Sequence, residues 1–383
     1  MRLISFDYGD FLRDSWQRKP LLIRNVWGEW SNPLEPDELA GLACEPGVES
    51  RLIVQKPCEW ALEHGPLRKH RFTKLGTEPW TLLVQAVDHH VPTVAEMLEA
   101  FRFIPNWRVD DIMVSYAVDG GGVGAHFDQY DVFLVQGLGR RRWQVGARCD
   151  ATTPLLPHDN LRLLASFEPT DEWVLEPGDM LYVPPGFAHN GIAVGDDCMT
   201  YSVGFRAPSR SELLAEWTQN LISELADEDR YSDVGLSGQD NPGEISQPAI
   251  ARLHQMVIDR LSDQDAFARW FGAYVTTPKR EDIDWRPEQR IGRDELHLQL
   301  GKGASLLRNP ASRFSFVRRA VGALTLFVDG DEHDCSGVVA KFAEQLCVTS
   351  HMAIDPNLLA SEEGLDLLLE LANLGSVAVE PDN

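Results

Sequence analysis

Three side chains in two stretches of the sequence have the types and spacing needed to bind one metal ion. His126 and Asp128 follow a glycine run, and His189 lies near the end of a second stretch, GDMLYVPPGFAHNG. If residues 126–128 form a strand, His126 and Asp128 point to the same side, about 7 Å apart along the backbone. A glycine turn, a strand and a Pro-Pro-Gly bend could then deliver His189 from a neighbouring strand.

Two histidines and one carboxylate form the facial triad of non-haem iron oxygenases, which leaves three coordination positions open. A single H-x-D pair is a weak signal, because polar surface residues often produce it. The H-x-D pair followed by the pattern G-x5-P-x-G-x2-H is much more specific. Zinc is the alternative metal, but a donor set of two histidines and an aspartate without cysteine favours iron.

Three consecutive arginines, Arg140 to Arg142, follow the H-x-D pair. Side chains alternate along a strand, so Arg141 shares a face with Trp143 and Val145 and is predicted to point into the apolar interior. A buried guanidinium needs an anion. The distal carboxylate of 2-oxoglutarate would bind it through two hydrogen bonds; the alternative is a salt bridge to a buried protein carboxylate. Arg140 and Arg142 are expected to be exposed.

The composition is that of an acidic globular protein of two or three domains. The 383 residues carry a formal net charge of −24, which repels nucleic acids and anionic lipids and attracts basic proteins, unless it serves solubility alone. Six scattered cysteines without a C-x-x-C pair argue against a zinc ribbon or a disulfide framework and fit a reduced cytoplasm. We see neither a secretory signal nor an apolar run long enough for a membrane helix.

The chain divides into three parts by texture, which together predict an α+β protein. Residues 1–207 contain many short β-type runs and predict a sandwich or barrel. Residues 208–275 have helical periodicity after a capping box at Ser209 and Glu212, and could form a homodimer interface or dock on the β domain. Residues 276–383 begin with a linker, TTPKRED at 276–282. They then have the helix, hairpin and helix order of a winged helix, with the hairpin turn at Asp329-Gly330. That module is not basic, so a structural or protein-binding role is favoured over DNA binding.

The sequence resembles the JmjC/cupin-type 2-oxoglutarate oxygenases, and most closely the bacterial ribosomal oxygenases that hydroxylate an arginine of large-subunit ribosomal protein L-sixteen. The resemblance extends over nearly the whole chain, although the C-terminal third matches by layout only. Proline is expected in the family where Asp119 and Ala125 stand here. The long matching stretches are SRLIVQ, GGGVG-HFDQYDVFLVQGLGRRRWQVG, LEPGDMLYVPPGFAHNG and YSVGFRAPSRSEL.

The resemblance implies a double-stranded β-helix with a helical dimerisation region and a C-terminal winged helix. It implies Fe(II) bound by His126, Asp128 and His189, with 2-oxoglutarate and dioxygen as cosubstrates. It further implies that Arg141 anchors the 2-oxoglutarate carboxylate and that Ser115 contacts the cosubstrate. Taken by itself, Ser115 is an ordinary strand serine.

Three residues near the triad are candidates for binding a basic substrate side chain, and each has an alternative structural role. They are Asp119, which could be a turn aspartate; Tyr130, which could pack in the core; and Asp131, which could end a strand.

The expected protein is therefore a cytoplasmic, homodimeric hydroxylase of a basic ribosomal protein, with no membrane contact and no direct nucleic acid binding. One alternative is a JmjC hydroxylase or demethylase acting on histidine or lysine of another basic protein. Another is a metal-binding cupin that acts as a scaffold without catalysis. An inward-pointing Arg141 favours an enzyme, since a scaffold has no use for a buried cation beside a metal.

Overall fold

The computed structural model of the chain describes residues 3–4, 6–56, 59–158, 160–279, 283–301 and 304–380. Cys58 and the last three residues of the expected linker, 280–282, lie outside the described residues. None of the helices in the described part combines the length and the hydropathy needed to cross a bilayer.

The first part of the chain is a jelly roll of antiparallel strands. One sheet of the described residues contains nine strands in the order β1-β8-β6-β9-β5-β4-β2-β3, with β7 paired to β6. The expected double-stranded β-helix is confirmed. Its strands are β1 (Leu21–Ile23), β2 (Ser50–Lys56), β3 (Glu59–His64), β4 (Trp80–Val84), β5 (Val109–Ala117), β6 (Asp131–Arg148), β7 (Pro169–Leu175), β8 (Met180–Val183) and β9 (Phe187–Phe205).

Some of the short β-type runs join into longer strands: the runs at 131–137 and 141–146 are two halves of one strand, β6, and the run at 199–205 is the second half of β9. Gly139 has a φ of +56°, and the pairing of β6 with β9 shifts register on both sides of Leu138. A bulge of this kind bends a strand without ending it, so no turn sequence separates the two halves.

The long strand β6 separates two apolar cores, because alternate side chains enter opposite faces. Phe133 and Val135 pack into the larger core, which also contains aromatic residues of the N-terminal segments such as Phe11 and Phe101. Val132 and Leu134 enter the smaller core. This double burial explains why the stretch is apolar without alternation.

Three short helices, α1 to α3, precede β5 in the N-terminal part, and the other helices follow the last strand of the jelly roll. The capping box at Ser209 and Glu212 is confirmed at the start of α4. The region of helical periodicity, 208–275, contains three helices, and the last of them, α6, begins after its cap at Asp263. The helices are α1 (Tyr8–Asp14), α2 (Pro36–Leu42), α3 (Pro92–Ala95), α4 (Arg210–Glu224), α5 (Gln247–Leu261), α6 (Gln264–Thr276), α7 (Arg293–Gly301), α8 (Gly337–Val348), α9 (Pro356–Leu359) and α10 (Glu362–Leu374).

The C-terminal module has the expected winged-helix layout around its own core of residues such as Phe342 and Leu368. The Asp329-Gly330 turn is confirmed, and both residues have positive φ, as a two-residue hairpin loop requires. The two sheets consist of β14 (His351–Ala353), β10 (Ser305–Arg308) and β15 (Val377–Glu380), and of β11 (Phe314–Ala320), β12 (Ala323–Val328) and β13 (Asp331–Ser336). Six strands occur in the described part of this module, and the sequence predicts only the two that flank the first hairpin, β11 and β12.

Helix α6 connects the three parts of the protein through aromatic contacts. Its Phe267 and Trp270 pack against Trp217 of α4, and its Phe271 packs against Trp107, which precedes β5 in the jelly roll. On another side, Gly272 lies directly against the ring of Phe327 on β12. The predicted boundaries at 207 and 275 stay predictions, but α6 contacts the parts on both sides of them.

A second connection between the jelly roll and the winged helix is polar. Arg313 donates to the backbone oxygen of Asp110 at 2.9 Å, and Lys279 forms an ion pair with the Asp110 carboxylate. The side-chain amide of Asn106 donates to the backbone oxygen of Cys347 at 2.6 Å. These bonds join the start of β5 to the C-terminal module.

Substituting Gly272 should weaken the docking of α6. A Cβ atom at this position would lie 2.3 Å from the buried ring of Phe327, so Gly272→Ala is expected to lower the free energy of unfolding by about 1–3 kcal/mol. Urea unfolding followed by circular dichroism measures this change. The matched control is Gly41→Ala in α2, where no atom lies within 4 Å and alanine should be neutral or slightly stabilising. Equal stability of the two variants would contradict the proposed tight contact.

Candidate metal centre

The structure brings His126, Asp128 and His189 together, with ligand atoms that all lie within 4.8 Å of one another. The Asp128 Oδ2 atom is 3.8 Å from His126 Nε2 and 3.5 Å from His189 Nε2. Metal bonds of about 2.1 Å place adjacent donors roughly 3 Å apart. Small side-chain movements are therefore enough for all three to bind one ion.

The two histidines are held by direct backbone pairing. The amide of His126 donates to the His189 oxygen at 3.0 Å, and the amide of His189 donates to the His126 oxygen at 2.8 Å. His126 forms an isolated bridge with His189, and residues 126–128 do not form the predicted strand. Asp128 is fixed separately, because its backbone oxygen accepts a 2.7 Å bond from the amide of Gly186 in the Pro-Pro-Gly bend.

Hydrogen bonds donated by the Nδ1 atoms direct the Nε2 atoms of both histidines toward the metal position. His126 Nδ1 lies 2.9 Å from the Gly124 oxygen, and His189 Nδ1 lies 3.0 Å from the Phe187 oxygen. A carbonyl oxygen only accepts, so each Nδ1 carries the proton and each Nε2 keeps a free lone pair. Burial, reinforced by the neighbouring His126, lowers the pKa of His189 to about 4. This imidazole is therefore neutral at pH 7, as a ligand must be.

Arg141 is buried, as the alternation of β6 predicts. Its side chain is 3 % exposed, its Nε donates to Cys198 Sγ at 3.4 Å, and its guanidinium carbon lies 5.7 Å from the centre of the Trp143 ring. Its buried Nη2 has no hydrogen-bond partner in the described part of the chain, where Arg141 also forms no salt bridge. An unpaired buried guanidinium is costly, so this site fits a carboxylate ligand. Arg140 is exposed and Arg142 is half-buried.

Ser115 lies on β5 opposite Thr200 of β9 and is buried. Its hydroxyl donates to the Thr200 backbone oxygen at 3.4 Å. The Thr200 hydroxyl in turn donates to Gln136 at 3.1 Å, and the Gln136 amide donates to the same Cys198 sulfur that binds Arg141. The structure thus connects Ser115 to the surroundings of Arg141, and its contact with a cosubstrate stays a prediction.

The three candidates for substrate binding have different surroundings. Asp119 is exposed, but its carboxylate accepts a 2.7 Å bond from the Gly195 amide, which fits the role of a turn residue. Tyr130 is 39 % exposed, and burial of its hydroxyl together with the nearby Asp128 carboxylate raises its pKa well above the ordinary value. Tyr130 remains the candidate of the three that lies beside a metal ligand.

The proposal that Asp131 binds substrate needs correction. Its side chain is fully buried, and its carboxylate accepts bonds from Arg108 at 2.8 Å, Tyr182 at 2.6 Å and Gln17 at 2.9 Å. Both oxygens are therefore already used inside the protein. Asp131 fixes the start of β6, and the alternative of a structural role at the strand end describes it better.

Cys198, which contacts Arg141, and Gln136, which contacts Cys198, were not predicted from the sequence. Cys198 lies 57 positions after Arg141 and belongs to no motif, so residue spacing gave no signal for it. Gln136 lies within the apolar stretch of β6, and a single polar residue there was the one available indication.

The jelly roll, the facial triad and the buried arginine together define a JmjC-type oxygenase. A JmjC domain model matches residues 96–213, and a ROXA-like winged helix model matches residues 259–378.

The protein belongs to the ribosomal oxygenase family. It is 39 % identical over 306 residues to the ribosomal protein uL16 3-hydroxylase of Escherichia coli, which covers 80 % of this chain and 81 % of that one. It is 40 % identical to a probable ribosomal oxygenase of Haemophilus influenzae, over 70 % of this chain and 67 % of that one. The solved structure of the Escherichia coli ribosomal oxygenase YcfD with cobalt and 2-oxoglutarate superposes with a TM-score of 0.88, at 33 % identity, over 99 % of each chain.

Removal of one triad histidine should abolish tight metal binding. His189→Ala deletes a ligand, a larger loss than the outer-shell changes that weaken metal affinity by about 10- to 100-fold. We expect the variant to lose Fe(II) on anaerobic gel filtration, measured as iron per protein chain. The control is His64→Ala, which removes an exposed histidine of β3 and should retain one iron per chain. Iron retention by both variants would contradict the assignment of the site.

Proposed function

We propose that this protein is an Fe(II)- and 2-oxoglutarate-dependent oxygenase that hydroxylates an arginine side chain of large-subunit ribosomal protein uL16 (L-sixteen). The observation that carries this proposal is the buried Arg141, whose Nη2 has no hydrogen-bond partner among the described residues. Its guanidinium lies over the Trp143 ring, and the centre of that ring is 6.0 Å from the ring of the metal ligand His189. A metal scaffold without catalysis would not need a buried cation that lacks an internal anion.

Each group of the site has a separate task in this reaction. His126, Asp128 and His189 would hold the ion, and bound iron would supply the activation of dioxygen. Arg141 binds the far carboxylate of 2-oxoglutarate and so orients its 2-oxo acid end toward the ion. The buried wall formed by residues such as Trp143 and Val145 excludes water from the reacting centre.

The charge of the protein supports a basic protein as substrate. A net charge of −24 favours association with a basic ribosomal protein and disfavours direct binding to nucleic acid phosphates. Tyr130, exposed beside Asp128, is the residue that we propose to contact the substrate side chain. A ribosomal protein substrate also places the enzyme in the cytoplasm as part of this proposal.

The proposal is tested by incubating the iron-loaded protein with 2-oxoglutarate, dioxygen and ribosomal proteins, followed by mass spectrometry. We expect one added oxygen on an arginine of uL16 and substrate-stimulated succinate formation. Arg141→Ala should raise the KM for 2-oxoglutarate by roughly 10- to 100-fold, because a charge-assisted hydrogen-bonded pair is lost. The control Arg140→Ala changes the exposed neighbour on the opposite face and should leave KM unchanged.

Three outcomes would contradict the proposal in different ways. Oxygen on histidine, or loss of methyl groups from lysine, would indicate the alternative JmjC activity on another basic protein. Absence of both succinate and modification would indicate a metal-binding scaffold. An unchanged KM in Arg141→Ala would show that the cosubstrate carboxylate binds elsewhere.

We also propose that the protein is a homodimer that associates through α4 and α5. In the described chain, α5 contributes no buried residue, so its apolar face does not dock on the β domain. Ile222 of α4 is 69 % exposed and Val257 of α5 is 57 % exposed, and both line one apolar groove between the helices. A second copy would cover this groove with the same surface, as a two-fold interface requires.

Light scattering should therefore give twice the mass of one chain. Val257→Glu places a charge in the groove and should yield a monomer at micromolar concentration, because an unpaired buried charge is unfavourable. The control Val234→Glu changes a valine that is 93 % exposed in the loop between α4 and α5 and should remain a dimer. A monomeric wild-type protein would refute the dimer.

A further inference from the structure

Cys198 accepts a hydrogen bond directly from the Arg141 guanidinium. The thiol is completely buried on β9 and packs with Ala117 and Ala193. Its sulfur accepts hydrogen bonds from Arg141 Nε at 3.4 Å and from Gln136 Nε2 at 3.5 Å. Both donors come from β6, one on each side of the bulge at Gly139.

We propose that Cys198 is a positioning residue that orients Arg141 for the distal carboxylate of 2-oxoglutarate. This inference rests on the proposed function and adds the means by which the anchor is held. Because Nε is bound to the sulfur, the direction of the planar guanidinium is fixed, while Nη2 has no partner within the described parts of the chain. The ligand carboxylate is then the group that completes the hydrogen bonding of Arg141.

The choice of a sulfur atom has an electrostatic reason. An anchoring arginine must be oriented without being neutralised, since a protein carboxylate in contact with it would compete with the carboxylate of the ligand. A thiol sulfur is a weak acceptor. It therefore holds the guanidinium in place and leaves its positive charge for the cosubstrate.

Gln136 holds the sulfur contact in position from the other half of β6. One amide hydrogen of Gln136 is donated to the Leu138 oxygen at 2.7 Å, and the amide oxygen accepts from the Thr200 hydroxyl at 3.1 Å. These two bonds determine which end of the amide faces Cys198. The Trp143 ring packs near the guanidinium carbon and adds a cation–π contact.

The test distinguishes binding of the distal carboxylate of the cosubstrate from binding of its 2-oxo acid end. Binding of 2-oxoglutarate and of 2-oxopentanoate, which has the same length of carbon chain but no distal carboxylate, is measured by calorimetry with the Mn(II)-loaded protein. Cys198→Ala should weaken 2-oxoglutarate by about three- to tenfold, because one oriented contact of a charged group is lost. The Kd for 2-oxopentanoate should not change.

Two further variants at the same position test the electrostatic argument. Cys198→Ser keeps an uncharged acceptor and should recover part of the lost affinity. Cys198→Asp also keeps an acceptor but introduces a competing carboxylate, so it should weaken 2-oxoglutarate more than Cys198→Ala does. The matched control is Cys335→Ala, which changes a buried cysteine of the winged helix and should leave both ligands unaffected.

The outcomes distinguish failure of this inference from failure of the proposed function. Equal 2-oxoglutarate affinity of wild type and Cys198→Ala would overturn the role of Cys198, and so would equal weakening of both ligands, which indicates only a distorted pocket. Tighter binding by Cys198→Asp than by Cys198→Ala would also overturn it. If wild type did not prefer 2-oxoglutarate over 2-oxopentanoate, the proposed function would fail, and the positioning role would fail with it.

Discussion

The register between β6 and β9 is the constraint on which the geometry of the site depends. His189 pairs with Val145, and Arg141 pairs with Ala193, so a metal ligand and the anion anchor are positioned by the same pair of strands. A shift of one residue would turn Arg141 to the opposite face. Between these two pairs, Trp143 lies against Gly191, where any Cβ would come within 2.7 Å of the ring. This close packing specifies the register.

The site holds two kinds of polar group that can bind a ligand: metal-binding nitrogen atoms and a guanidinium donor. The histidine Nε2 atoms keep free lone pairs because their Nδ1 atoms are bound to backbone oxygens, and Arg141 keeps a free donor because its Nε is bound to sulfur. The strands that carry these side chains pack against large apolar cores, which keep the histidines and Arg141 in place. The energy of that packing offsets the cost of leaving polar groups unsatisfied, which ligands can then recover as binding energy.

The parts of the fold and site that depend on local pattern could be predicted from the sequence. Side-chain alternation predicted the burial of Arg141, the capping box predicted the start of α4, and Asp329-Gly330 predicted a hairpin turn. The bulge at Gly139 was missed, although the Gly-Leu-Gly sequence around Leu138 was a possible signal. Short strands such as β10 and β15 were also missed, since their identity as strands depends on pairing with distant residues.

Contacts between residues far apart in sequence could not be predicted. Asp131 was a reasonable candidate for contact with a basic substrate because it follows the triad, but Arg108 and Tyr182 satisfy it inside the protein. Cys198 reaches Arg141 only because β9 returns to β6 after residues 195–197 bulge outward. In both cases the deciding partner is fixed by tertiary structure, and no spacing rule connects it to the site.

The residues of the site lie in the jelly roll, whereas α6 and the C-terminal module cover part of the jelly-roll surface. A chain ending near residue 208 would retain all three metal ligands, Arg141 and Cys198. It would also expose Trp107 to water, together with the polar groups of Asp110 and Asn106 that now bind the C-terminal module. The C-terminal part of the chain thus covers a surface of the jelly roll that would otherwise need different side chains to face water.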